Sequence, residues 1–450
     1  MMEGFYWNVP NGWYRAMASK AAELRDMGGG YGIDRIWFPP PSKGESGPFS
    51  MGYDPHDYYD LGSYNQDGSI PTRFGTQAEL KAAISAYKSA GIASMADIVL
   101  NHRSGGKSEA NPNTGGGSWT DFSNTASGMC QWHYNEFHPS TSERADEGAF
   151  GGMPDNCYST GNSPGHAYYD VLHWGQWLQN PDNAGFDGGW RFDYVKGYHP
   201  WAAQGFWSAT GSPFSVAEYW DANTSLLDGW VQAAGGGISV FDFPLYYTLQ
   251  GVCNDAGGSA WLPDVFNPSR SYAAKNPLRA VTFAANHDTA GIANDKMLAY
   301  AFILTYQGYP QLFWKDYFDY GLARGGGSGA GKGNGIAPLL WCREKLAGGS
   351  PKISVLKGDD GQLIVYQSDG SSAAKPGYIV VINTNPSSWR GARVRTDDSF
   401  LLGRTLKAYA WSSTVAGQNY QPDNQAVDAD GWTQVYAPPR GYAVFSASGF

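Results

Sequence analysis

The sequence predicts an α/β protein: a (β/α)8 barrel with a small domain inserted after its third strand, followed by a C-terminal antiparallel β-domain. Three observations predict this. Apolar, β-rich runs alternate with helical patterns from residue 4 to about 345, and such alternation implies a parallel sheet with crossover helices. Residues 102–165 interrupt the alternation with many Gly, Ser, Asn and His. A loop that long inside a domain is usually functional, and it is expected to form a small domain of its own. From about 348 the pattern changes to short alternating runs, such as Gln362-Leu363-Ile364-Val365-Tyr366 and Gly377-Tyr378-Ile379-Val380-Val381-Ile382, which suit an antiparallel sheet with one covered face.

In chain order the expected strands are 4–9, 34–39, 93–100, 188–195, 214–220, 238–244, 280–286 and 309–314. Helical patterns lie at 13–27, 76–90, 166–180, 200–209, 224–234 and 295–306. Eight strands favour the closed TIM barrel, which can fill about 250 residues as one domain. An open doubly wound sheet is the alternative, but no G-x-G-x-x-G follows the first strand. The expected domains are therefore 1–101 with 166–347 as the barrel, 102–165 as the insert and 348–450 as the β-domain.

Composition narrows the ligand. A formal net charge of -10 argues against nucleic acid and anionic membranes, both of which need basic surfaces. The 18 Trp and 29 Tyr exceed ordinary core needs and suit stacking on flat ligand faces while their polar tips meet hydroxyls. Sugars are such ligands. Cys130, Cys157, Cys253 and Cys342 show neither a disulfide framework nor a zinc-ribbon spacing. The most apolar stretch, Met297 to Trp314, contains Thr305, Gln307, Gly308 and Pro310 and reads as helix, loop and strand, so no membrane span is expected. No signal-peptide pattern precedes Phe5-Tyr6-Trp7, which fits a mature start as well as a cytoplasmic one.

Three strand-like segments end in an acid: Gly189-Trp190-Arg191-Phe192-Asp193, Ser215-Val216-Ala217-Glu218 and Phe283-Ala284-Ala285-Asn286-His287-Asp288. A fourth, Asp97 to His102, adds an amide and an imidazole. Burying unpaired charge is costly, and a (β/α)8 barrel gathers its site at the C-terminal ends of its strands. The carboxylates are therefore expected to converge. Acetal cleavage needs one carboxylic acid for the leaving oxygen and one carboxylate for the anomeric carbon. Arg191 shares a strand face with Asp193, and a fixed cation there keeps the carboxylate ionised and nucleophilic. Glu218, followed by Tyr219 and Trp220, sits in aromatic company whose desolvation favours the acid form.

These four segments, in this order, resemble the conserved regions of the α-amylase family of glycoside hydrolases. Ser50-Met51-Gly52-Tyr53-Asp54-Pro55 resembles the family's substrate-stacking tyrosine motif, and Gly151-Gly152-Met153-Pro154-Asp155 its signature in the inserted domain. Pro39 to Gly44, Arg191 to Tyr198 and Val240 to Tyr247 are similar to the archaeal and plant types. The likeness covers nearly the whole chain, more weakly after about 348. It implies that Asp193 is the nucleophile, Glu218 the general acid/base and Asp288 a transition-state stabiliser. His102 and His287 would bind the same sugar ring, Tyr53 would stack on it, Lys196 and Tyr198 would line the product side, and Arg191 and Trp220 would also bind substrate. Departures are Gly188-Gly189, one glycine more than usual, and Trp314, where a tyrosine is common.

The resemblance also implies one Ca2+, held by Asn101, Asp146 and Asp155 with carbonyls at Gly148 and Gly197; hard oxygen ligands are what calcium prefers. It offers His138, Glu143 and Cys157 as places for Zn2+, which accepts such a mixed set. The preferred reading there is a buried cysteine and a surface histidine. The expected activity is retaining endo-hydrolysis of α-1,4-glucosidic bonds in starch, glycogen or maltooligosaccharides by a monomer, secreted if starch is the substrate, with cytoplasmic placement left open. The rivals are a transglycosylase of the same family and an inactive carbohydrate-binding barrel. Retention of all three acids argues against the inactive barrel.

Overall fold

The computed structural model describes residues 1–139, 150–322, 333–348 and 352–450. Eight parallel strands close into a barrel: β1 Met2–Glu3, β2 Arg35–Phe38, β3 Ala93–Ile98, β4 Gly189–Phe192, β5 Ser215–Ala217, β6 Ser239–Phe241, β7 Ala280–Phe283 and β8 Tyr309–Phe313. Each lies beside its neighbour in sequence, as short right-handed crossovers dictate. Nearly every strand residue is buried, as both faces of a parallel sheet require.

Local chemistry sets the helix limits. The helix Gln77–Ser89 opens on a capping box, in which Thr76 Oγ1 accepts from Glu79 N (3.3 Å) and Thr76 N donates to Glu79 Oε2 (2.9 Å). Pro200–Thr210 starts on its proline and ends at Gly211 in the left-handed region. The expected helix 13–27 is two, Trp13–Ala18 and Ala21–Gly30. Ser19 Oγ donates to Ala16 O (2.7 Å) at the break, the competing bond that makes serine a poor interior helix residue.

Two strand expectations are corrected. The first strand is Met2–Glu3, not 4–9. After Gly4 N bonds Trp37 O, Phe5, Tyr6 and Trp7 leave the ladder and pack on Trp37, Trp13 and Tyr53. The sixth strand stops at Phe241 because Asp242 caps a helix, Phe243–Asn254, that the sequence reading missed. Asp242 accepts from Leu245 N, Tyr272 N and Ala273 N (2.7–2.9 Å). Burial raises its carboxyl to about 6 against those three bonds. Its folded value thus exceeds the unfolded one. The stability it contributes is full below about pH 3.9 and is lost as pH rises through about 6. Asp242→Asn is expected to flatten the fall in Tm over that window, whatever it does to the absolute value; a scan of Tm against pH checks this.

The doubled glycine at the start of β4 has a packing reason. A Cβ on Gly189, at φ 112°, would lie 1.9 Å from Phe214 O, and one on Gly188 would lie 2.8 Å from the backbone at Ala93 and Ser94. Side chains at either position would wedge β4 away from its partners.

By compactness the residues fall into two units. One holds Met1–Ala22, Asp34–Asp221 and Ser225–Phe241, and the other Glu23–Ile33, Ala222–Thr224 and Asp242–Phe450. In the first unit, the segment after β3 carries a hairpin of Lys107–Asn111 with Gly116–Asp121. It is pinned by the fully buried Arg103. Its guanidinium lies 3.8 Å from the Phe122 ring centre, 4.8 Å from Trp132 and 5.0 Å from Tyr58, and Nη1 donates to Cys130 O (2.7 Å). Bridges His102 to Asp155 and Phe137 to Asn156 fold this segment back on its own start.

The second unit contains β7, β8 and the C-terminal sheet. The strands there are β9 Ile353–Asp360, β10 Leu363–Ser372, β11 Lys375–Asn383, β12 Arg390–Arg395, β13 Thr405–Ser413, β14 Gln425–Ala426, β15 Trp432–Ala437 and β16 Gly441–Ala447. Six form an antiparallel sheet in the order β9-β10-β11-β16-β13-β14, and β12 pairs with β15. Leu363, Val365, Ile379, Val381, Val435 and Phe445 fill the core between them. Tyr378 Oη donates to Thr305 O (2.9 Å), which fastens the sheet to the helix Lys296–Thr305. Among the described residues no helix is long and apolar enough to cross a membrane.

Candidate active site

One buried guanidinium organises the ends of β3, β4 and β5. The parallel register sets Asp97 beside Arg191 on neighbouring strands. Arg191 Nη1 lies 3.0 Å from Asp97 Oδ1 and 2.5 Å from Asp193 Oδ1, and Nη2 lies 2.8 Å from Glu218 Oε1. Burial works against this charge, but Asp97, Glu218 and Asp193 outweigh it and hold Arg191 well above its usual range. Asp193 and Glu218 are thus brought within the span of a single side chain, and both are largely buried.

Backbone bonds fix the two acids. Asp193 N donates to Ile98 O (3.0 Å) and Glu218 N to Phe192 O (2.9 Å), continuing the barrel ladder one residue past each strand. Tyr194 then turns sharply, with φ 41° and ψ 52°. A bulky residue there is an outlier that costs about 1–3 kcal/mol. The turn aims Tyr194 N at Glu218 Oε2 (3.1 Å). Glu218 therefore has a cation on one oxygen and an N–H donor on the other, beyond the aromatic company read from the sequence.

Tyr53 and His102 join this group. Tyr53 Oη donates to Asp97 Oδ2 (2.8 Å) beside Trp37 Nε1 (3.1 Å), so its ring is set by Asp97. His102 donates Nε2–H to Tyr53 O (2.8 Å), which leaves Nδ1 facing Asn101 Nδ2 (3.3 Å). Burial lowers the His102 imidazole below its ordinary range, with Tyr53 O, Asp193 and Asp54 opposing. The ring is therefore neutral at pH 7. Phe150 stacks flat on it (5.3 Å between centres, 13°) and meets Tyr194 edge-on (4.9 Å).

Other expected residues lie as follows. Lys196 Nζ pairs with Asp221 (3.1 Å) and lies 5.3 Å from the Tyr219 ring centre. Trp220 is exposed at 38%. Tyr198 is 4% exposed and faces a small crevice with His138, Tyr158 and Ser159, so it offers packing rather than an open ring face. In the other compact unit, His287 Nε2 lies 3.1 Å from Asp288 Oδ2. Asn286 Oδ1 accepts from Asp288 N and Thr289 N (3.0 and 2.8 Å), a side-chain turn that presents Asp288 just past β7. Asp97, Asn286, Phe150 and Tyr194 are positioning residues that the sequence reading did not assign. Asp97 had a signal, an acid inside an apolar strand, whereas the Tyr194 turn had none.

The calcium set is partly described. Asn101 Oδ1 is buried without a hydrogen-bond partner. Gly197 packs so closely that a Cβ there would lie 1.8 Å from that oxygen. Asp155 is 3% exposed, and Asn156 N bonds Asn101 O (2.9 Å). A cradle of hard oxygens around Asn101 fits a calcium ion. Asp146 and Gly148 lie outside the described residues, as does Glu143 of the zinc set. Of the other zinc candidates, Cys157 is fully buried with Sγ 3.3 Å from Ser159 Oγ. His138 Nδ1 is buried without a hydrogen-bond partner. Among the described residues no group of three or more His, Cys, Asp or Glu could hold a metal.

Residues 378–446 match the family model described as Alpha-amylase C-terminal. A curated relative, the glucan 1,4-alpha-maltohexaosidase of Bacillus sp. (strain 707), is 29% identical over 96% of this chain and 89% of its own. The chain belongs to the α-amylase family of glycoside hydrolases. Another member, the cytoplasmic alpha-amylase of Escherichia coli (strain K12), is 27% identical over 85% of this chain and 88% of its own. Among solved structures, the alpha-amylase of Geobacillus thermoleovorans complexed with acarbose superposes with a TM-score of 0.66 at 16% identity, covering 98% of this chain and 94% of that one. That likeness shows a shared barrel fold.

Proposed function

We propose that this family member is an α-amylase that cleaves internal α-1,4-glucosidic bonds of starch, glycogen and maltooligosaccharides with retention of configuration. The single observation that carries the reading is Arg191 bridging Asp193 and Glu218 at 2.5 and 2.8 Å. Two carboxyl groups within reach of one guanidinium suit the separation of about 5–5.5 Å that retention needs.

Asp193 attacks the anomeric carbon while Glu218 gives its proton to the leaving glycosidic oxygen. The C–O bond breaks, and a glycosyl ester on Asp193 forms. Water, deprotonated by Glu218, then cleaves that ester and restores both groups. Asp288 and His287 bind hydroxyls of the reacting sugar, His102 borders the same ring as a neutral imidazole, and Tyr53 stacks on the sugar face. Lys196 and Trp220 line the flanking subsites. The same reading takes 1–101 and 166–347 as the catalytic barrel, 102–165 as the inserted domain and 348–450 as the C-terminal domain. The protein acts as a monomer, and it is secreted when starch, too large to enter a cell, is the substrate.

Soluble starch digested by wild type beside Asp193→Asn, with the anomer read early by NMR, tests this. Short α-configured maltooligosaccharides from wild type alone are expected. β-configured products, or an active Asp193→Asn, would overturn the assignment.

Calcium would be held by Asn101, Asp155 and the Gly197 carbonyl, with Asp146 and Gly148 as the family resemblance implies; it would tie the inserted segment to the end of β3 and supply no reaction step. Chelation is expected to lower Tm. Stabilisation by a ligand at a hundred times its Kd is about 2.7 kcal/mol. An unchanged Tm under strong chelator, or one that falls equally in Asn101→Ala, would remove the site.

A further inference from the structure

The loop that follows Asp288 is gripped by residues that have no part in cleavage. It runs from Thr289 to Asp295, between the end of β7 and the helix Lys296–Thr305. Its start is tied to the β7 turn, where Thr289 Oγ1 donates to Asn286 Oδ1 (2.8 Å). Its middle is held by the last turn of the helix Phe243–Asn254. Asn254 Nδ2 donates to Gly291 O (2.6 Å), and Asn254 Oδ1 accepts from Ala293 N (3.0 Å) and Asn294 N (3.1 Å). One amide thus uses both its donor and its acceptor on three backbone groups of the loop. Nearer the start of the same helix, Tyr246 Oη accepts from Gly291 N (3.0 Å), and the Tyr246 ring stacks flat on Phe283 of β7 (5.1 Å between centres, 5°). The approach is close, since a Cβ on Gly291 would collide with Gln250 Nε2 and Tyr246 Oη.

The end of the loop is held by Arg440, from the turn between β15 and β16. Its guanidinium pairs with Asp295, which also accepts from Thr414 Oγ1. The same side chain donates to Cys253 O (2.8 Å) and Asp255 O (2.6 Å), the carbonyls on either side of Asn254. They stand at a helix C-terminus, where the last carbonyls lack partners within the helix and attract a cation. Arg440 therefore seats both the residue that grips the loop and the residue that ends it. Both members of the ion pair stand in the left-handed region, Asp295 at φ 30° and Arg440 at φ 45°. Residues other than glycine keep that conformation where their surroundings over-determine it.

We propose that Asn254, itself seated by Arg440, is a positioning residue for Asp288: it sets the backbone from which that carboxylate reaches the sugar. This rests on the role given to Asp288 above. Asp288 stands on an exposed turn, so its place depends on the chain that enters it from β7 and on the chain that leaves it toward Gly291. The first is a barrel strand. The second is held by Asn254 and Tyr246. Misplacing a catalytic group by about 1 Å costs up to roughly 100-fold in rate, even when the cause lies far from the chemistry.

The test is a double-variant cycle on the full chain, with kcat and KM read on an aryl maltooligosaccharide whose released chromophore reports weak variants. Asn254→Ala is expected to lower kcat by about 10- to 100-fold with KM little changed, because the interaction it disturbs is made in the transition state. In an Asp288→Asn background the same substitution is expected to cost almost nothing further, because the group it positions is already gone. Asn254→Asp keeps acceptors for Ala293 N and Asn294 N and loses only the donor to Gly291 O. Its kcat should lie between wild type and Asn254→Ala, and it carries the cycle if the alanine variant does not fold. Wild-type kcat in the Asn254 variants would overturn the assignment. So would an equal loss in both backgrounds, which marks a residue that serves the fold alone. An Asp288→Asn enzyme as active as wild type overturns the role given to Asp288, and the assignment of Asn254 with it.

Discussion

Glu218→Gln is expected to lower kcat on maltoheptaose by roughly 10²–10⁴-fold, the usual contribution of a positioned general acid. The amide keeps an oxygen for Arg191 or for Tyr194 N, so starch binding should persist. Only the transferable proton is lost. A substrate with an activated aryl leaving group needs no such proton, and its first step should be largely spared. That contrast separates loss of an acid from loss of the fold. Near-normal turnover of maltoheptaose would sink the assignment, and equal loss on both substrates would make Glu218 a structural carboxylate.

Arg191→Met is expected to cost about 3–5 kcal/mol of stability, because breaking a buried ion pair strands its partner, and to abolish detectable cleavage. Arg191 is fully buried with Asp97, Asp193 and Glu218 around it. Without it three carboxylates face one another, and at least one must take up a proton. Asp97→Asn in the same chain should recover part of the stability, since Asp97 is fully buried and its remaining partners, Tyr53 and Trp37, are both donors. It should recover none of the activity, since Asp193 and Glu218 stay unorganised. Urea unfolding of the single and double variants measures the first part, and a sensitive starch assay the second. An Arg191→Met enzyme with substantial activity would show that the acids hold their places unaided.

The barrel was legible because its signals are local. The alternation of strand and helix acts within a few residues, and the structure shows equally local limits in the Thr76–Glu79 capping box and the Pro200 start. The acids at 193, 218 and 288 were legible because a charge at the end of an apolar strand is rare without a partner. Asp242 lay inside the expected strand 238–244. The cap it makes with Leu245 N is local and was missed, whereas its bonds from Tyr272 N and Ala273 N come from about thirty residues on.

By itself the sequence determined the eight-stranded barrel, the placing of Asp193, Glu218 and Asp288 beyond strand ends and the presence of Arg191 two residues before Asp193. Periodicity, capping and side-chain alternation are properties of neighbours along the chain. The tertiary structure decided which groups that cation holds, because Asp97 and Glu218 reach Arg191 only through the register of adjacent strands. It also decided that Tyr194 takes a left-handed turn onto Glu218, and that Tyr198 is packed inside rather than presented. Each of these depends on what lies across the barrel or over it, and such distances are not written in any stretch of adjacent residues.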